Sequence, residues 1–189
     1  GGGSCEISLV KNKKFEKFVS LPLGAVRLTE IYVPQNKAST LGLRRLDLHI
    51  KKVLSTAWPE PPKVNMAFGS AGTLRALARL VSKTELTDDD RVLTRRNLDD
   101  ICKKISKMSR KQIAALPGID SKRAEILVAG AHTVKAIFDY FEIDKLRVSQ
   151  RGLREGMVLD LFEHPQKPTG FQITEAEQLK LDVLYSISR

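Results

Sequence analysis

The feature that most narrows the fold is a short apolar run, Val64-Asn65-Met66-Ala67-Phe68. It passes directly into Gly69-Ser70-Ala71-Gly72-Thr73 and then into a helical pattern at Leu74, Leu77, Ala78 and Val81. Strand, glycine turn and helix in immediate succession describe an α/β fold, and ligands of such folds sit at turns of this kind. The backbone N–H groups of a glycine turn and the N-terminus of the next helix present several donors and a positive dipole end to an anion. Glycine permits the close approach that this contact needs. Taken alone, the segment is equally a tight turn before a helix.

The rest of the chain supplies the partners such a unit requires. Ile7 and Leu9 alternate with Glu6 and Ser8, and a second β-prone run at 15–21 follows Lys11-Asn12-Lys13-Lys14, which predicts a hairpin. Helical spacing occupies 23–33 and ends at Pro34; a longer helix over 40–58 is closed by Pro59-Glu60-Pro61-Pro62. The charged stretch 85–107 runs into a helix at about 98–108, with a short helix over 109–116 after it. Ala124, Leu127, Ala131, Val134, Phe138 and Phe141 recur at three- and four-residue steps and define the clearest helix, with one buried face. Asp120 or Ser121 is its N-cap. A strand over 146–149, a helix over 153–162 and a tail over 163–189 complete the chain. The opening Gly1-Gly2-Gly3-Ser4 has two local readings, a Gly/Ser linker or a phosphate-binding turn entering the strand that begins at Cys5.

Charge sets the class of partner. Thirty-two Lys and Arg against 22 Asp and Glu leave a formal +10, which favours a polyanion such as nucleic acid, an anionic membrane surface or a phosphorylated substrate. The bland alternative is a solvated surface. No apolar run approaches the ~20 residues of a membrane span, so the chain reads as soluble. Two cysteines, Cys5 and Cys102, are too few for a disulfide framework or a zinc site, which suits a cytoplasmic protein. His49, His132 and His164 have no ligand spacing and receive no role.

Four segments, in order, resemble the Ppx/GppA phosphatases. Gly1-Gly2-Gly3-Ser4-Cys5-Glu6 is similar to the end of that family's Asp-x-Gly-Gly-Gly-Ser-Thr-Glu phosphate motif. Ser20-Leu21-Pro22-Leu23-Gly24-Ala25-Val26-Arg27-Leu28-Thr29-Glu30 resembles a second family stretch, and Gly69-Ser70-Ala71-Gly72-Thr73 resembles its second glycine loop. Residues 109–131 and 147–156 resemble its C-terminal helices. The resemblance covers about 1–162 and favours the natural motif over the linker for residues 1–4. It implies an α/β, ribonuclease-H-like lobe of the actin-like ATPase superfamily, a mixed sheet flanked by helices. Residues 1–162 would be the C-terminal lobe, 163–189 its tail, and the N-terminal lobe would be absent. The lobe's first strand, which carries the motif's aspartate, is also missing, and its loss would expose ladder groups on the neighbouring strands. The expectation is that the protein extends N-terminally or that the strand is present as a separate piece.

The family's reaction is hydrolysis of the terminal phosphoanhydride of polyphosphate or guanosine pentaphosphate by in-line attack of water, where the protein positions groups and neutralises charge. The resemblance gives Gly1, Gly2, Gly3 and Ser4 the role of holding phosphate oxygens, and Glu6 that of binding Mg²⁺ or orienting the water, against the alternative of an exposed strand Glu. Gly69, Ser70, Gly72 and Thr73 would form the second phosphate loop, which departs from the family's Gly-Thr-Ser-Gly-Thr in having Ser70 and Ala71. Arg27, Arg123 and Arg154 are candidate polyanion contacts, Arg123 foremost, since a guanidinium binds two oxygens at once; for each taken singly, a surface ion pair is the stronger reading. The family's general base would lie in the absent lobe, so the isolated chain is expected to be inactive, and a homodimer is expected by analogy. Two rival readings stand beside this one. Leu116-Pro117-Gly118-Ile119-Asp120-Ser121-Lys122-Arg123-Ala124 resembles the hairpin of a helix-hairpin-helix nucleic-acid module within 109–131, whose backbone amides clasp a DNA phosphate. The other is a non-catalytic relative that binds a guanosine alarmone.

Overall fold

The computed structural model describes residues 2–12, 14–81 and 92–163. The chain divides into two compact units, Gly1–Gly152 and Leu153–Arg189. The first begins with the antiparallel hairpin of β1 (Cys5–Lys11) and β2 (Lys14–Leu21). Asn12 takes a φ of 51° in its turn, a conformation asparagine tolerates better than most residues. Helices α1 (Ala25–Tyr32) and α2 (Thr40–Ala57) follow, then β3 (Ala67–Gly69) and α3 (Gly72–Val81). After them come β4 (Val92–Thr94), α4 (Arg95–Ile105), α5 (Arg110–Ala114), α6 (Ser121–Tyr140) and β5 (Lys145–Val148). The described part of the second unit contains α7 (Leu153–Glu163).

The second sheet is mixed. In the order β3-β5-β4, β3 runs parallel to the central β5 and β4 antiparallel to it. With helices around it, this is the α/β class expected from the sequence. Four elements differ most from expectation. The sequence gives no strand at 92–94; β4 is three residues long and exists through its pairing with β5, Leu93 opposite Leu146. Helix α4 starts at Arg95 rather than near 98, because Thr94 and Asn97 form a reciprocal capping box, Asn97 N to Thr94 Oγ1 at 3.3 Å and Thr94 N to Asn97 Oδ1 at 2.8 Å. Strand β3 keeps only the last residues of the apolar run at 64–68.

Helix α6 departs most instructively. The spacing predicts one buried face, yet every residue from Leu127 to Thr133 is buried, round the whole circumference. The cause is the small run Ala129-Gly130-Ala131, which lets α1, α2, α3, α4 and α5 approach the same helix. Asp120 is the N-cap, accepting from Arg123 N at 2.7 Å. Further along, Phe138 is fully buried; truncating such a side chain to Ala costs about 3–5 kcal/mol. Within this packed centre His132 is buried, its Nδ1 2.7 Å from Asp47 Oδ1 on α2 and its Nε2 3.0 Å from Ser106 Oγ at the end of α4. One imidazole therefore joins three helices, a role the histidine spacing did not disclose. At the hairpin, Lys17 Nζ donates to Ala57 O at 2.7 Å and stands 4.2 Å from the centroid of Trp58, fastening β2 to the end of α2. No helix among the described residues is long and apolar enough to cross a membrane.

Candidate functional site

The first glycine turn rests on the N-terminus of α1. Val26 N and Arg27 N donate to Gly2 O at 3.1 and 3.2 Å, and Gly24 N donates to Gly3 O at 3.3 Å. The helix's orphan amides are thereby satisfied by the turn's carbonyls. A trans peptide sets its C=O and the following N–H in opposite directions, and no peptide bond among the described residues is cis. With the carbonyls of Gly2 and Gly3 turned toward α1, the amides of Gly3 and Ser4 point away from it, as donors toward the other side of the turn. The fit is close: a Cβ at Gly24 would fall on the backbone of Gly2, Gly3 and Ser4. Gly1 lies outside the described residues.

Ser4 and Glu6 form one polar group. The Ser4 hydroxyl donates to Glu6 Oε1 at 2.6 Å, and Ser20, opposite Glu6 on β2, donates to the same oxygen at 3.2 Å. The Glu6 carboxyl is held below its ordinary value, first by the Ser4 hydroxyl; burial works against this, and Ser20 adds to it. The sequence assigns the Ser4 hydroxyl to phosphate oxygens; in this structure its proton is given to Glu6, so the two residues act as a unit. Neither thiol is placed for nucleophilic work, since burial raises Cys5 and pushes Cys102 up to about 12.

The second turn is equally anchored. Gly69 ends β3 opposite Val148, and its carbonyl accepts from Ser149 N at 2.8 Å. Ser70 Oγ donates to Arg151 O at 2.8 Å, which commits that hydroxyl's proton to backbone. Gly72 opens α3, and the Arg123 guanidinium, reaching across from the first turn of α6, fills the space where a Gly72 Cβ would stand. The sequence's foremost arginine is thus brought to the second loop.

The helix that carries the first turn converges with the second turn. At Gly130 a Cβ would lie 2.7 Å from Thr73 Cγ2 and 3.3 Å from Ala25 Cβ, so the residue after Gly72 and the residue after Gly24 lean on one point of α6. Between them opens a cavity of about 640 Å³, with Ser4, Glu6, Gly69, Ser70 and Thr73 on its wall. Gly2, Gly3 and Gly72 belong to the turns that flank it. Arg27 is exposed on α1, its backbone amide on Gly2 O. Arg154 lies on α7, in the second unit. The sequence missed Gly24 and Gly130, which fix the turns. The legible signal for Gly130 was a glycine inside a strong helical pattern.

For Mg²⁺ the donors fit in kind rather than in number. The ion takes oxygen ligands and is commonly held by one or two carboxylates together with substrate phosphates. Glu6 supplies one carboxylate, and among the described residues no group of three or more His, Cys, Asp or Glu is gathered to hold a metal.

Comparison with known proteins adds the following. The model of the Ppx/GppA phosphatase family matches residues 1–164. Exopolyphosphatase 1 of Mycobacterium leprae is 33% identical over 165 residues, covering 84% of this chain and 49% of that protein. A guanosine-5'-triphosphate,3'-diphosphate pyrophosphatase of Pseudoalteromonas translucida is 30% identical over 167 residues, covering 86% of this chain and 32% of that one. Among solved structures, the Aquifex aeolicus Ppx/GppA family member superposes with a TM-score of 0.80 at 27% identity, over 88% of this chain and 55% of that one. The chain spans about half the length of the exopolyphosphatase it matches.

Proposed function

The chain belongs to the Ppx/GppA phosphatase family, and from that premise we propose that it is the second lobe of a phosphohydrolase acting on the terminal phosphoanhydride of inorganic polyphosphate or guanosine pentaphosphate. One observation carries the proposal: two glycine turns border one cavity, the first joined to the Ser4–Glu6 pair and seated on α1, the second overlaid by Arg123, with Ala25 of α1 and Thr73 of the second turn both leaning on Gly130. Such an arrangement offers backbone donors from two sides and a forked cation to a chain of phosphates. The names of the relatives, exopolyphosphatase and guanosine-5'-triphosphate,3'-diphosphate pyrophosphatase, fit that chemistry.

In this reading the amides of Gly3 and Ser4 hold oxygens of the terminal phosphate. Arg123 neutralises charge on the phosphates behind it, and Gly72 and Thr73 present the N-terminus of α3 to the same chain. Glu6, kept ionised by Ser4 and Ser20, orients the attacking water or holds a cation. Mg²⁺, when bound, would supply charge neutralisation across the phosphate oxygens, with Glu6 and Ser4 as its protein-side donors. A general base would come from the other lobe, which makes this chain by itself a binding half without turnover. The protein would work in the cytoplasm, as a homodimer.

The test is calorimetric titration of the chain with polyphosphate, guanosine pentaphosphate, guanosine tetraphosphate and duplex DNA at two salt concentrations, beside a phosphate-release assay on the full-length protein with Mg²⁺. Binding of polyphosphate or pentaphosphate, lost in Arg123→Ala, together with release by the full-length protein, supports the phosphatase. Tight duplex binding that neither substrate competes away would overturn it, as would tetraphosphate binding with no release from either substrate.

A further inference from the structure

Two glycines outside the cavity each take a guanidinium from the other's segment. Arg123, on the first turn of α6, covers Gly72 at the start of α3. In return Arg79, near the end of α3, lies against Gly118 in the turn that leads into α6, its Cδ 3.3 Å and its Nη1 3.9 Å from where a Cβ would stand. Gly118 has a φ of 72°, a conformation that favours glycine, so the turn itself keeps this space open. Residues 118–123 thus run beside α3 in the opposite sense, from Arg79 back to Gly72.

Gly72, Arg75, Ala76 and Arg79 are spaced by three and four residues and share one face of α3. Ala76 is buried, Arg75 half-buried and Arg79 exposed. At about 1.5 Å per residue, Arg79 lies roughly 10 Å along the axis from Gly72, with Arg75 between them. Among the described residues no carboxylate pairs with Arg75, Arg79 or Arg123. Asp120, the acid of this seam, accepts from the Arg123 backbone N–H instead. Like charges four residues apart on a helix destabilise it, so Arg75 and Arg79 contribute nothing to the fold by their charge. Their forked donors suit phosphate oxygens, and the row begins at the second glycine turn.

We propose that Arg75 and Arg79 form a distal phosphate subsite, which takes a phosphate carried about 10 Å behind the one at Gly72 and so selects anions by their length. The inference rests on the phosphohydrolase reading, since it takes the leading phosphates to lie at the glycine turns. Tripolyphosphate ends short of Arg79, and a nucleoside triphosphate gives way to ribose. Phosphate reaches that far in a longer polyphosphate, or as the 3'-diphosphate of guanosine pentaphosphate.

The probes are tripolyphosphate, a defined polyphosphate long enough to run the length of α3, GTP and guanosine pentaphosphate, each titrated calorimetrically into the full chain. The longer polyphosphate should bind about tenfold or more tightly than tripolyphosphate, the gain of one further charge-assisted contact. Arg79→Ala and Arg75→Ala should remove that gain and leave tripolyphosphate binding unchanged. Arg79 is exposed, so its variant keeps the test open should Arg75→Ala unfold the chain. Arg45→Ala, which takes an exposed charge from α2, should leave the gain in place. A gain of pentaphosphate over GTP that Arg79→Ala also removes assigns the subsite to the 3'-diphosphate too; a gain in polyphosphate alone assigns it to chain length. No gain with length, equal loss of tripolyphosphate in Arg79→Ala, or the same loss in Arg45→Ala overturns the inference while the glycine-turn reading stands. Absence of binding by every phosphate overturns that reading and the inference with it.

Discussion

The guanidinium of Arg123 stands in the space above Gly72 that any other side chain would claim, its Cζ 2.8 Å and Nη1 3.1 Å from where a Cβ would be. A residue on the first turn of α6 thus covers the first turn of α3, and the absence of a side chain at 72 is what lets it. The pairing yields a direct prediction. Gly72→Ala should push the flexible guanidinium aside at little cost to the fold, while polyphosphate binding weakens about as much as in Arg123→Ala. A charge-assisted hydrogen bond is worth about 1.5–3 kcal/mol, or roughly ten- to a hundredfold in affinity. Because both changes remove the same contact, the double variant should lose little more than either single one, which a double-mutant cycle by titration calorimetry measures.

Gly24 should behave differently, since what blocks a Cβ there is the backbone of residues 2–4 and not the end of a movable side chain. Gly24→Ala is expected to detach the first turn from α1, breaking the bonds to Gly2 O and Gly3 O. The cost in stability is about 1–3 kcal/mol, with polyphosphate binding lost as well. Thermal unfolding and titration on the same sample check this; unchanged binding would show that the first turn holds no phosphate.

The Ser4–Glu6 pair can be followed by pH. The Glu6 carboxyl lies below its reference value of 4.5 with the Ser4 hydroxyl as the largest cause, so Ser4→Ala should raise its midpoint more than Ser20→Ala does. The sign for stability follows: a lowered folded-state pKa contributes stability that is present above the unfolded value and is lost as pH falls through the folded one. Glu6 therefore stays ionised at neutral pH in all three proteins, and the stability difference that runs through its carboxyl is fully present above about 4.5 and fades as pH falls below that value. Carboxyl-carbon nuclear magnetic resonance titration gives the three midpoints, and equal values in wild type and Ser4→Ala would refute the assignment.

His132 offers a prediction about the core. Its ring joins Asp47 and Ser106, and its side chain is only 11% exposed whereas that of Asp47 is 53% exposed. His132→Ala should cost about 2–4 kcal/mol, from the cavity and from the stranded Ser106 hydroxyl together. Asp47→Ala, whose carboxylate reaches water, should cost under about 1 kcal/mol. Denaturant unfolding separates the two.

The parts of the molecule that the sequence discloses are those encoded locally. The hairpin shows in the alternation of Ile7 and Leu9, α6 in its three- and four-residue apolar steps, and the second glycine turn in its place between strand and helix, while the first reads locally as linker or turn and is singled out by the family resemblance. Strand β4 does not show, because Val92, Leu93 and Thr94 sit in a charged stretch and become a strand only against Lys145, Leu146 and Arg147, more than fifty residues away. The cap that starts α4 was hidden because its N3 residue is Asn97 in place of the Glu or Gln of the usual pattern. Within the site, the resemblance named the turns and Arg123. What no local pattern could give is the meeting of Ala25, Thr73 and Gly130, a contact that exists only once α1 and α3 have docked on α6. Ser4 and Glu6 stand two residues apart on one side of an extended chain, a spacing that allows their bond, whereas the resemblance gives each residue its own task.

Gly130 gives the protein an economical way of setting a gap. The spacing between Ala25, at the start of the helix under the first turn, and Thr73 of the second turn is set by what is left out of a helix, so a single added methyl group at Gly130 would press on both together. The aperture is machined by subtraction: at this point its width is inherited from the axis of α6, a helix buried on every side from Leu127 to Thr133.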